Sequence, residues 1–326
     1  MKAEILSLLR EADNYVSGQE ICERFQVTRT AVWKAMNKLK AEGYEIEAVQ
    51  NRGYRLVKQP DVFTQNELKS RIRNGWAGNN LLFYDTIGST NLQAKLLAEE
   101  GAPHGTLVVA GEQTDGRGRR GRNWISPPDV NVYFTLLLRP DFPPNLASML
   151  TLVMALAVKH GIEDVCDSTA LIKWPNDIVM NSKKVTGILT ELSLQGEDIQ
   201  YVVIGVGLNV KKQSFPEELE HKVTTIEIES GKEISRALLL QKILQYFESE
   251  YEKFLTKMDL SLLLKDYNDS LVNRNREVRV LDPAGEYTGI AQGINKKGEL
   301  LVQMPDQTIK EVYAGEVSVR GIYGYV

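Results

Sequence analysis

At 326 residues the chain is long enough for two or three domains, each with a core of its own. A composition of 43% hydrophobic and 25% charged residues is typical of a globular protein, and a formal net charge of -4 argues against indiscriminate coating of nucleic acid. Cys22 and Cys166 lie too far apart in sequence to suggest a disulfide framework or a metal site. No signal peptide opens the sequence, and the longest apolar run, 149–158, is too short to cross a bilayer. We expect a cytoplasmic protein that does not enter a membrane.

Residues 1–60 predict three short helices followed by a two-stranded hairpin. Ser17, with Glu20 three positions later, is a capping box that begins the second helix. Thr28 or Thr30 can cap the third helix, which a glycine ends. The hairpin strands are predicted at 44–49 and 54–57.

The third helix separates into two faces at 100° per residue. Val32, Met36 and Leu39 form an apolar stripe that packs inward, whereas the opposite stripe is polar, cationic and aromatic. Such groups contact phosphates and base edges in the major groove, and the hairpin is similar to the wing of a winged helix. A protein-interaction module with a charged face is the alternative. The candidate DNA-binding residues are Thr28, Arg29, Thr30, Trp33, Lys34, Asn37, Lys38 and, in the hairpin, Arg52.

From 61 to 270, helices and apolar strands alternate, which predicts a mixed α/β domain around one sizeable sheet. Strands are predicted at 81–85, 106–111, 131–138, 170–174, 184–194 and 199–210. Helices are predicted at 91–100, 146–161 and 235–257.

Residues 116–122 contain four arginines and three glycines. Glycines let the backbone bend close around a ligand, and arginines make paired contacts to carboxylate or phosphate. Without a ligand this loop should repel itself and be mobile, and a polyanion should order it. The spacing Gly116-x-Gly118-x-x-Gly121 also fits a dinucleotide fingerprint, but the loop runs into Pro127 rather than into a helix. We predict an anion-binding loop, with a solvated loop as the alternative.

The segment 173–177, Lys-Trp-Pro-Asn-Asp, ends an apolar strand in a turn, and the next strand contains Lys184 and Gly187. A lysine followed closely by glycine at a strand edge can meet a ligand laid against the backbone; a surface turn with two solvated lysines is the alternative. The glycines of 205–209 indicate either a softened strand or another close approach. Residues 89–91, Ser-Thr-Asn, most simply cap a helix.

The last segment, 271–326, changes character. Short strands alternate with turn residues, a pattern typical of a small barrel. These strands are predicted at 277–281, 287–294, 299–303, 308–313 and 317–320.

Together these segments resemble the family of biotin–protein ligases that also repress the biotin operon. Residues 116–121 and 173–177, in that order and spacing, carry the resemblance, which covers the whole chain. It implies an α+β protein of three domains, with a winged helix–turn–helix at 1–60, a mixed α/β catalytic domain resembling class II synthetases at 61–270 and an SH3-like small β-barrel at 271–326.

The resemblance also assigns ligand-binding residues, and none of them to a metal. Biotin would be bound by Ser89, Thr90, Asn91, Gln113, Arg117, Gly118, Arg119, Lys184 and Gly187, with Gly187 under the bicyclic ring. The adenylate would be bound by Arg117, Arg119, Arg122, Trp124, Asn209 and Arg320. Two positions depart from the family pattern, since Asp115 and Thr186 each stand where alanine is common, but neither change removes a ligand group.

The implied reaction joins biotin to a protein in two steps. The biotin carboxylate attacks the α-phosphate of ATP to give biotinyl-5'-AMP, and a lysine of a biotin carboxyl carrier domain of a carboxylase then attacks the adenylate. Two anions meet in the first step, so the expected catalytic groups are Lys184 and Arg119, with Mg²⁺ held mainly by the phosphates. Asp177 would orient or deprotonate the acceptor amine.

The regulatory half of the resemblance implies a ligand-controlled repressor. Adenylate that orders the arginine-rich loop would favour a homodimer, whose two heads would bind palindromic operator DNA and repress biotin biosynthesis genes. Two rival functions stand beside this one: a lipoate-type acyl ligase on the same catalytic fold, and a ligand-sensing repressor without ligase activity. The sequence contains no Arg-Arg…Gly-Gly-Gly…His stretch of the first rival, and intact Arg119 and Lys184 argue against the second.

Overall fold

The computed structural model describes residues 1–73, 75–282, 285–314, 318–321 and 325–326. Two compact units divide the chain: Met1–Asn74 with Ser235–Gln241, and Gly75–Ile234 with Lys242–Val326. Each unit is built around its own apolar interior.

The first unit contains the predicted three helices and hairpin. Its elements are α1 (Lys2–Glu11), α2 (Gly18–Phe25), α3 (Arg29–Ala41), β1 (Glu45–Val49), β2 (Gly53–Lys58) and α4 (Gln65–Arg71). The Ser17 hydroxyl accepts a hydrogen bond from the Glu20 amide at 3.0 Å, as the capping box predicts. Thr28, not Thr30, caps α3, since its hydroxyl accepts from the Ala31 amide at 3.2 Å. The predicted helical head and its wing-like hairpin are therefore present.

Helix α4 has no counterpart among the predicted helices. It is short and polar, so it lacks the apolar periodicity by which a helix is recognised in sequence. Its Glu67 is nonetheless 1% exposed and binds Arg10 and Arg71, at 3.0 and 2.5 Å, and the Tyr44 hydroxyl at 2.6 Å. A buried charge with three partners, rather than an apolar stripe, fastens α4 to the unit.

The second unit contains one seven-stranded sheet in the order β3-β4-β5-β9-β8-β7-β6. Its strands are β3 (Leu81–Ile87), β4 (Leu107–Gln113), β5 (Val132–Leu138), β6 (Leu171–Lys173), β7 (Asp177–Met180), β8 (Lys183–Gln195) and β9 (Asp198–Leu208). Only β3 and β4 run parallel; the other neighbours are antiparallel. The single mixed sheet is the predicted one, with one added strand. Strand β7 was not predicted, because it follows β6 through a turn that pairs Lys173 directly with Asp177 and leaves only four residues of pattern.

Two helices, α5 (Thr90–Glu99) and α6 (Met149–Cys166), pack on this sheet. The other helices are α7 (Glu217–Glu220), α8 (Ile226–Ser230), α9 (Arg236–Lys257), whose first residues belong to the first unit, and α10 (Leu264–Asp269). Asn91 of α5 binds Glu191, whereas Thr151 of α6 binds the adjacent Thr190. Because neighbouring residues of a strand point to opposite faces, α5 and α6 lie on opposite sides of the sheet.

Helix α6 corrects one expectation from the sequence. Within the described chain, one segment, Pro144–Cys166, is long and apolar enough to cross a membrane by length and composition, so the apolar stretch is longer than the predicted 149–158. Of its most apolar window, 67% is buried inside the protein. Its length and apolar character therefore match those of a core helix packed on the sheet.

Five short strands follow, as predicted for the last segment. They are β10 (Arg276–Leu281), β11 (Tyr287–Ile294), β12 (Leu300–Gln303), β13 (Ile309–Val312) and β14 (Ser318–Gly321), in the antiparallel order β13-β12-β11-β10-β14. Val317, the first residue of the last predicted strand, lies outside the described residues. The indole of Trp174 donates to the Gly298 carbonyl at 3.0 Å, which ties this small sheet to the turn after β6.

Candidate functional site

An open cleft lies over the central sheet of the second unit, between the start of α5, the segment after β4, and strands β8 and β9; its empty space, including the solvent at its mouth, is about 470 Å³. Its lining residues are Ser89, Thr90, Asn91, Gln113, Arg117, Gly118, Arg119, Trp124, Asn176, Lys184, Gly187, Ile188, Leu189, Gly205, Val206 and Gly207. All nine residues that the sequence predicts for biotin lie among them. The fold therefore brings together segments that are up to 118 positions apart in the chain, from 89 to 207.

One end of the cleft is a neutral polar floor built on Gln113. The Gln113 side-chain oxygen accepts hydrogen bonds from the Thr90 amide at 2.9 Å and the Thr90 hydroxyl at 3.1 Å. Its side-chain nitrogen donates to the Ser126 hydroxyl at 3.0 Å. These bonds fix which end of the amide faces each neighbour. The floor is therefore preorganised.

Thr135, which is not among the predicted site residues, lies at the centre of the same floor. It is fully buried on β5, and its hydroxyl lies 2.7 Å from Asn91 Oδ1 and 2.8 Å from the Thr90 hydroxyl. Since Asn91 Oδ1 can only accept, the single proton of Thr135 goes to Asn91. A signal was present, because Thr135 is a hydroxyl-bearing residue inside the wholly buried strand Val132–Leu138, where a buried hydroxyl needs a partner.

Glu191 completes the orientation of Asn91. The Asn91 side-chain nitrogen donates to the Glu191 carboxylate at 2.8 Å and to the Leu189 carbonyl at 3.3 Å. Lys95 also contacts Glu191, at 2.5 Å. Both ends of the Asn91 amide thus have defined partners, and the side chain cannot flip without losing them.

The other end of the cleft is cationic. Arg119 is half-buried and donates to Asn176 Oδ1 at 2.9 Å and to the Ala314 carbonyl at 2.8 Å. Burial lowers the pKa of Arg119 from its ordinary value, while the charge of Asp177 opposes that shift. The Lys184 ammonium lies 2.5 Å from Asp177 and 5.2 Å from the centre of the Trp124 ring. Carboxylate and phosphate groups would find fixed positive charge at this end.

The loop 116–122 is held by contacts that the prediction of self-repulsion did not include. The Trp124 amide donates to the Gly116 carbonyl at 2.8 Å, and the Gly118 amide donates to the Arg122 carbonyl at 2.7 Å. The Asp115 carboxylate binds Arg117 at 2.7 Å. Repulsion among the arginines is therefore offset, partly by the aspartate at one of the two positions that depart from the family pattern.

Trp124 occupies the surface at which the resemblance places the bicyclic ring. A Cβ atom added to Gly187 would lie 3.0 Å from the Trp124 ring, and one added to Gly207 would lie 2.4 Å from its Nε1. The indole N–H is buried and has no hydrogen-bond partner among the described residues. The second departure, Thr186, is fully buried on β8, and its hydroxyl is likewise unpartnered within the described part of the chain.

Four predicted residues lie outside the lining of the cleft. Asp177 lies behind Lys184 and is 8% exposed. Asn209 is buried after β9, where its backbone bonds to Val185 and Ile226. The other two are Arg122, which is exposed, and Arg320, which is half-buried on β14.

A compact ionic cluster surrounds Asp177. Burial alone would raise the pKa of Asp177, but the ammonium groups of Lys184 and Lys173 hold it below its usual value. Lys173 is 6% exposed, and burial lowers its pKa to about 8. The Lys173 ammonium lies 3.8 Å from the ring centre of Tyr325, whose hydroxyl donates to Asp177. Neither Lys173 nor Tyr325 was among the predicted site residues.

The first unit presents the predicted nucleic-acid face. The eight predicted DNA-binding residues are all exposed, and Trp33 is 58% exposed, although an indole is usually buried. The intervening Val32, Met36 and Leu39 are at most 2% exposed, so the two stripes of α3 separate as predicted. In the hairpin, the Arg52 guanidinium lies 5.0 Å from the Tyr15 ring centre. This face offers exposed cations and an aromatic ring together.

Within the described residues, no group of three or more His, Cys, Asp or Glu side chains could hold a metal ion. The described lining of the cleft also contains no carboxylate. Magnesium prefers oxygen ligands, above all carboxylates and phosphates, so these side chains do not form a cage for it.

Comparisons with known proteins match three separate regions of the chain. Residues 2–55 match the model of an HTH domain, residues 84–209 that of the biotin/lipoate A/B protein ligase family, and residues 275–320 that of the biotin protein ligase C-terminal domain. The bifunctional ligase/repressor BirA of Bacillus subtilis is 38% identical over 324 residues, and that of Bacillus spizizenii is 39% identical, each match covering 98% of both chains. The biotin protein ligase of Aquifex aeolicus, solved with biotin and ATP, has a TM-score of 0.67 and 33% identity, covering 74% of this chain and 99% of that one.

Proposed function

This chain belongs to the family of bifunctional biotin ligase/repressors, and we propose that it joins biotin to a protein lysine with ATP while its N-terminal head represses transcription. One observation carries the proposal: a single cleft has a neutral polar floor at one end and fixed positive charge at the other. Biotin has the matching polarity, with a neutral cyclic urea at one end and a carboxylate at the other.

The floor suits a urea because a urea has one carbonyl acceptor and two N–H donors. The Ser89 hydroxyl can donate to the carbonyl, and the Thr90 hydroxyl can do so by turning its proton from Gln113 to the ligand. Asn91 Oδ1 keeps a lone pair for an N–H. The remaining biotin contacts are proposed at Gln113, Arg117, Gly118 and Gly187. We further propose that Trp124 lies against the ring system once biotin is bound.

In the first step the biotin carboxylate attacks the α-phosphorus of ATP, and the bond from that phosphorus to the bridging oxygen of pyrophosphate breaks. Arg119 and Lys184 neutralise both anions and stabilise the charge that develops between them. Arg117, Arg122, Asn209 and Arg320 are the further proposed contacts of the adenylate. Mg²⁺ would come with the phosphates and water rather than from a protein cage.

In the second step a lysine of a biotin carboxyl carrier domain attacks the acyl carbon, AMP leaves, and the amine loses a proton. The contacts of Asp177 favour a positioning role over that of a base. Its carboxylate is bound by Lys184 and Tyr325, and its lowered pKa makes it a poor proton acceptor. We propose that Asp177 holds Lys184 in place.

The repressor activity would use the face of α3 and the hairpin on palindromic operator DNA, with two chains forming a homodimer when the adenylate is bound. We retain the proposed boundaries of 1–60, 61–270 and 271–326 for the head, the catalytic domain and the SH3-like domain. Both cysteines are free thiols, which suits the reducing cytoplasm in which we propose that the chain acts. Footprinting of the biotin-gene promoters with and without biotin and ATP tests this half, and protection that does not depend on ligand would contradict it.

Biotin-dependent exchange between ATP and pyrophosphate tests the ligase. We expect exchange with biotin and none with lipoate. Exchange with lipoate alone would favour the acyl-ligase rival. No exchange with either acid, in a protein that still binds biotin, would favour a sensor without ligase activity.

A further inference from the structure

Tyr325 contacts the ionic cluster behind the cleft with both parts of its side chain. Its hydroxyl donates a hydrogen bond to Asp177 Oδ2, and its ring lies under the Lys173 ammonium, 3.8 Å from the ring centre. The hydrogen bond joins residues 148 positions apart in the chain. A phenol donates through its hydroxyl and attracts a cation at its ring face, so one residue meets two opposite charges.

The same carboxylate leads directly to the cleft. Asp177 Oδ1 lies 2.5 Å from Lys184, the lysine that lines the cleft beside Arg119. The two oxygens of Asp177 are therefore divided between Tyr325 and Lys184. A continuous series of contacts runs from Tyr325 through Asp177 to the ammonium that is proposed to act on the reacting phosphate.

Because Tyr325 and Lys184 each bind one oxygen of Asp177, Lys173 and Lys184 do not compete for the same carboxylate oxygen. Lys173 is nearly buried and close enough to Asp177 for their charges to interact. Without a partner on Oδ2, the carboxylate could turn toward Lys173 and bind Lys184 less tightly. The reason is that an unpaired oxygen of a buried carboxylate costs free energy. Tyr325 occupies Oδ2 and gives Lys173 a ring face instead.

We propose that Tyr325 is a positioning residue for adenylation, which holds the Asp177 carboxylate so that the Lys184 ammonium stays fixed at the cleft. The inference rests on the proposed ligase function and adds a residue outside the cleft to it. It also gives the C-terminal segment a specific part in the first chemical step.

The test is the steady-state kinetics of pyrophosphate exchange in the full-length chain. Tyr325→Phe keeps the ring under Lys173 and removes the hydrogen bond to Asp177, so we expect kcat per active site to fall about tenfold, the scale of one hydrogen bond to a charged group. The KM for biotin should change less than about twofold, because the polar floor at Thr90 and Gln113 is untouched. Tyr325→Ala also removes the ring and should lower kcat further. Tyr313→Phe, at a tyrosine that directly follows β13 and is 57% exposed, is the matched control and should leave both constants unchanged.

The pH profile separates positioning from a general effect on folding. The Tyr325 hydrogen bond is one cause of the lowered pKa of Asp177, so Tyr325→Phe should raise that pKa and move the acid limb of the rate profile to higher pH. The charged groups that act on this cluster are Lys173, Lys184, Arg119, Arg122 and Arg320. All of them remain in Tyr325→Phe, so the shift would report the missing hydrogen bond.

The possible outcomes are distinct. If the unaltered chain shows no biotin-dependent exchange, the proposed function fails and this inference fails with it. If the unaltered chain is active and Tyr325→Phe keeps its kcat and pH profile, the function stands and the role of Tyr325 is refuted. If Tyr325→Phe only reduces the number of active sites, counted by the burst of biotinyl-5'-AMP, with normal kcat per site, Tyr325 serves folding alone and the proposal is likewise refuted.

Discussion

Among the described residues that line the cleft, Lys184 is the single lysine, and its setting explains why it can act on a phosphate. One flank of its ammonium meets Asp177 at 2.5 Å, and Trp124 lies 5.2 Å away. A charge held in this way loses little entropy when two anions meet beside it, and it needs no rearrangement during the reaction.

Replacing Lys184 should therefore greatly lower the rate of adenylation and leave the fold intact. We expect Lys184→Met to lower biotin-dependent pyrophosphate exchange by about 100- to 1,000-fold, the range seen when a group that stabilises developing charge is removed. The melting temperature should fall only slightly, since Asp177 keeps Lys173 and Tyr325 as partners. Lys183→Met is the control, because Lys183 contacts the Glu220 carbonyl at 3.2 Å and lies outside the lining. Unchanged exchange in Lys184→Met would refute its role.

Thr135 tests the polar floor separately from the cationic end. Thr135→Val keeps the shape of the side chain and removes the proton that orients Asn91, leaving Asn91 Oδ1 without that partner. An unpaired buried group costs about 1–3 kcal/mol, so the KM for biotin should rise about 5- to 150-fold with kcat nearly unchanged. Thr151→Val removes a Thr–Thr bond on the opposite face of the same sheet and should leave the KM alone. An equal rise in both variants would mean that the effect comes from sheet stability.

The sequence identified the residues of this site that belong to local patterns and missed those that only tertiary structure brings there. Arg119 and Lys184 stand in short, distinctive motifs, so both were predicted. Tyr325 lies 148 positions from its partner Asp177, and Thr135 lies 44 from Asn91, so no local spacing relates them. A partner of a catalytic group has no motif of its own, because the fold alone defines the contact.

At the scale of elements, the helices and strands that the sequence predicted are those with strong apolar periodicity. The amphipathic helix α3 and the long strands β8 and β9 have enough residues to repeat their pattern several times. Strand β7 has four residues and α4 seven, and each is held by a charged residue, Asp177 or Glu67, that apolar periodicity alone would place on a surface. These two missed elements are therefore short ones stabilised by buried ion pairs. The unpredicted helices α7, α8 and α10 are also short, with four, five and six residues.

Strand β9 contributes to the cleft through Gly205, where the absence of a side chain leaves room for Asn91. A Cβ atom on Gly205 would lie 2.0 Å from Asn91 Oδ1, closer than any real contact, so Gly205→Ala must displace Asn91. We expect the affinity for biotin, measured by calorimetry, to fall at least tenfold while the far-UV spectrum stays the same. Gly88→Ala is a strict control, because Gly88 precedes the floor residue Ser89, yet an added Cβ there meets nothing within 4 Å. Normal biotin binding by Gly205→Ala would show that Asn91 does not contribute to the floor.

At the scale of the whole molecule, the two proposed activities use different residues in different compact units. The DNA face belongs to the first unit, and every residue that lines the cleft belongs to the second. The formal charge of -4 conceals this arrangement, since residues 24–40, which include most of the DNA face, contain five basic residues and no acidic one. A total charge describes solubility and long-range attraction, whereas the local run determines where a polyanion binds.

A substitution on the DNA face should therefore weaken DNA binding without touching the ligase. Lys34 is exposed on α3, and removing a cation that binds a phosphate there should lower the affinity for a random-sequence duplex and reduce the slope of log K against log salt by about one. We expect Lys34→Ala to show both effects in fluorescence anisotropy across a salt series, with pyrophosphate exchange equal to that of the unaltered chain. Lys69→Ala is the matched control, because Lys69 is an exposed cation of the same unit on α4, outside α3 and the hairpin. If Lys69→Ala changes the slope as much as Lys34→Ala does, the duplex is attracted by the general charge of the unit and α3 is not the recognition helix.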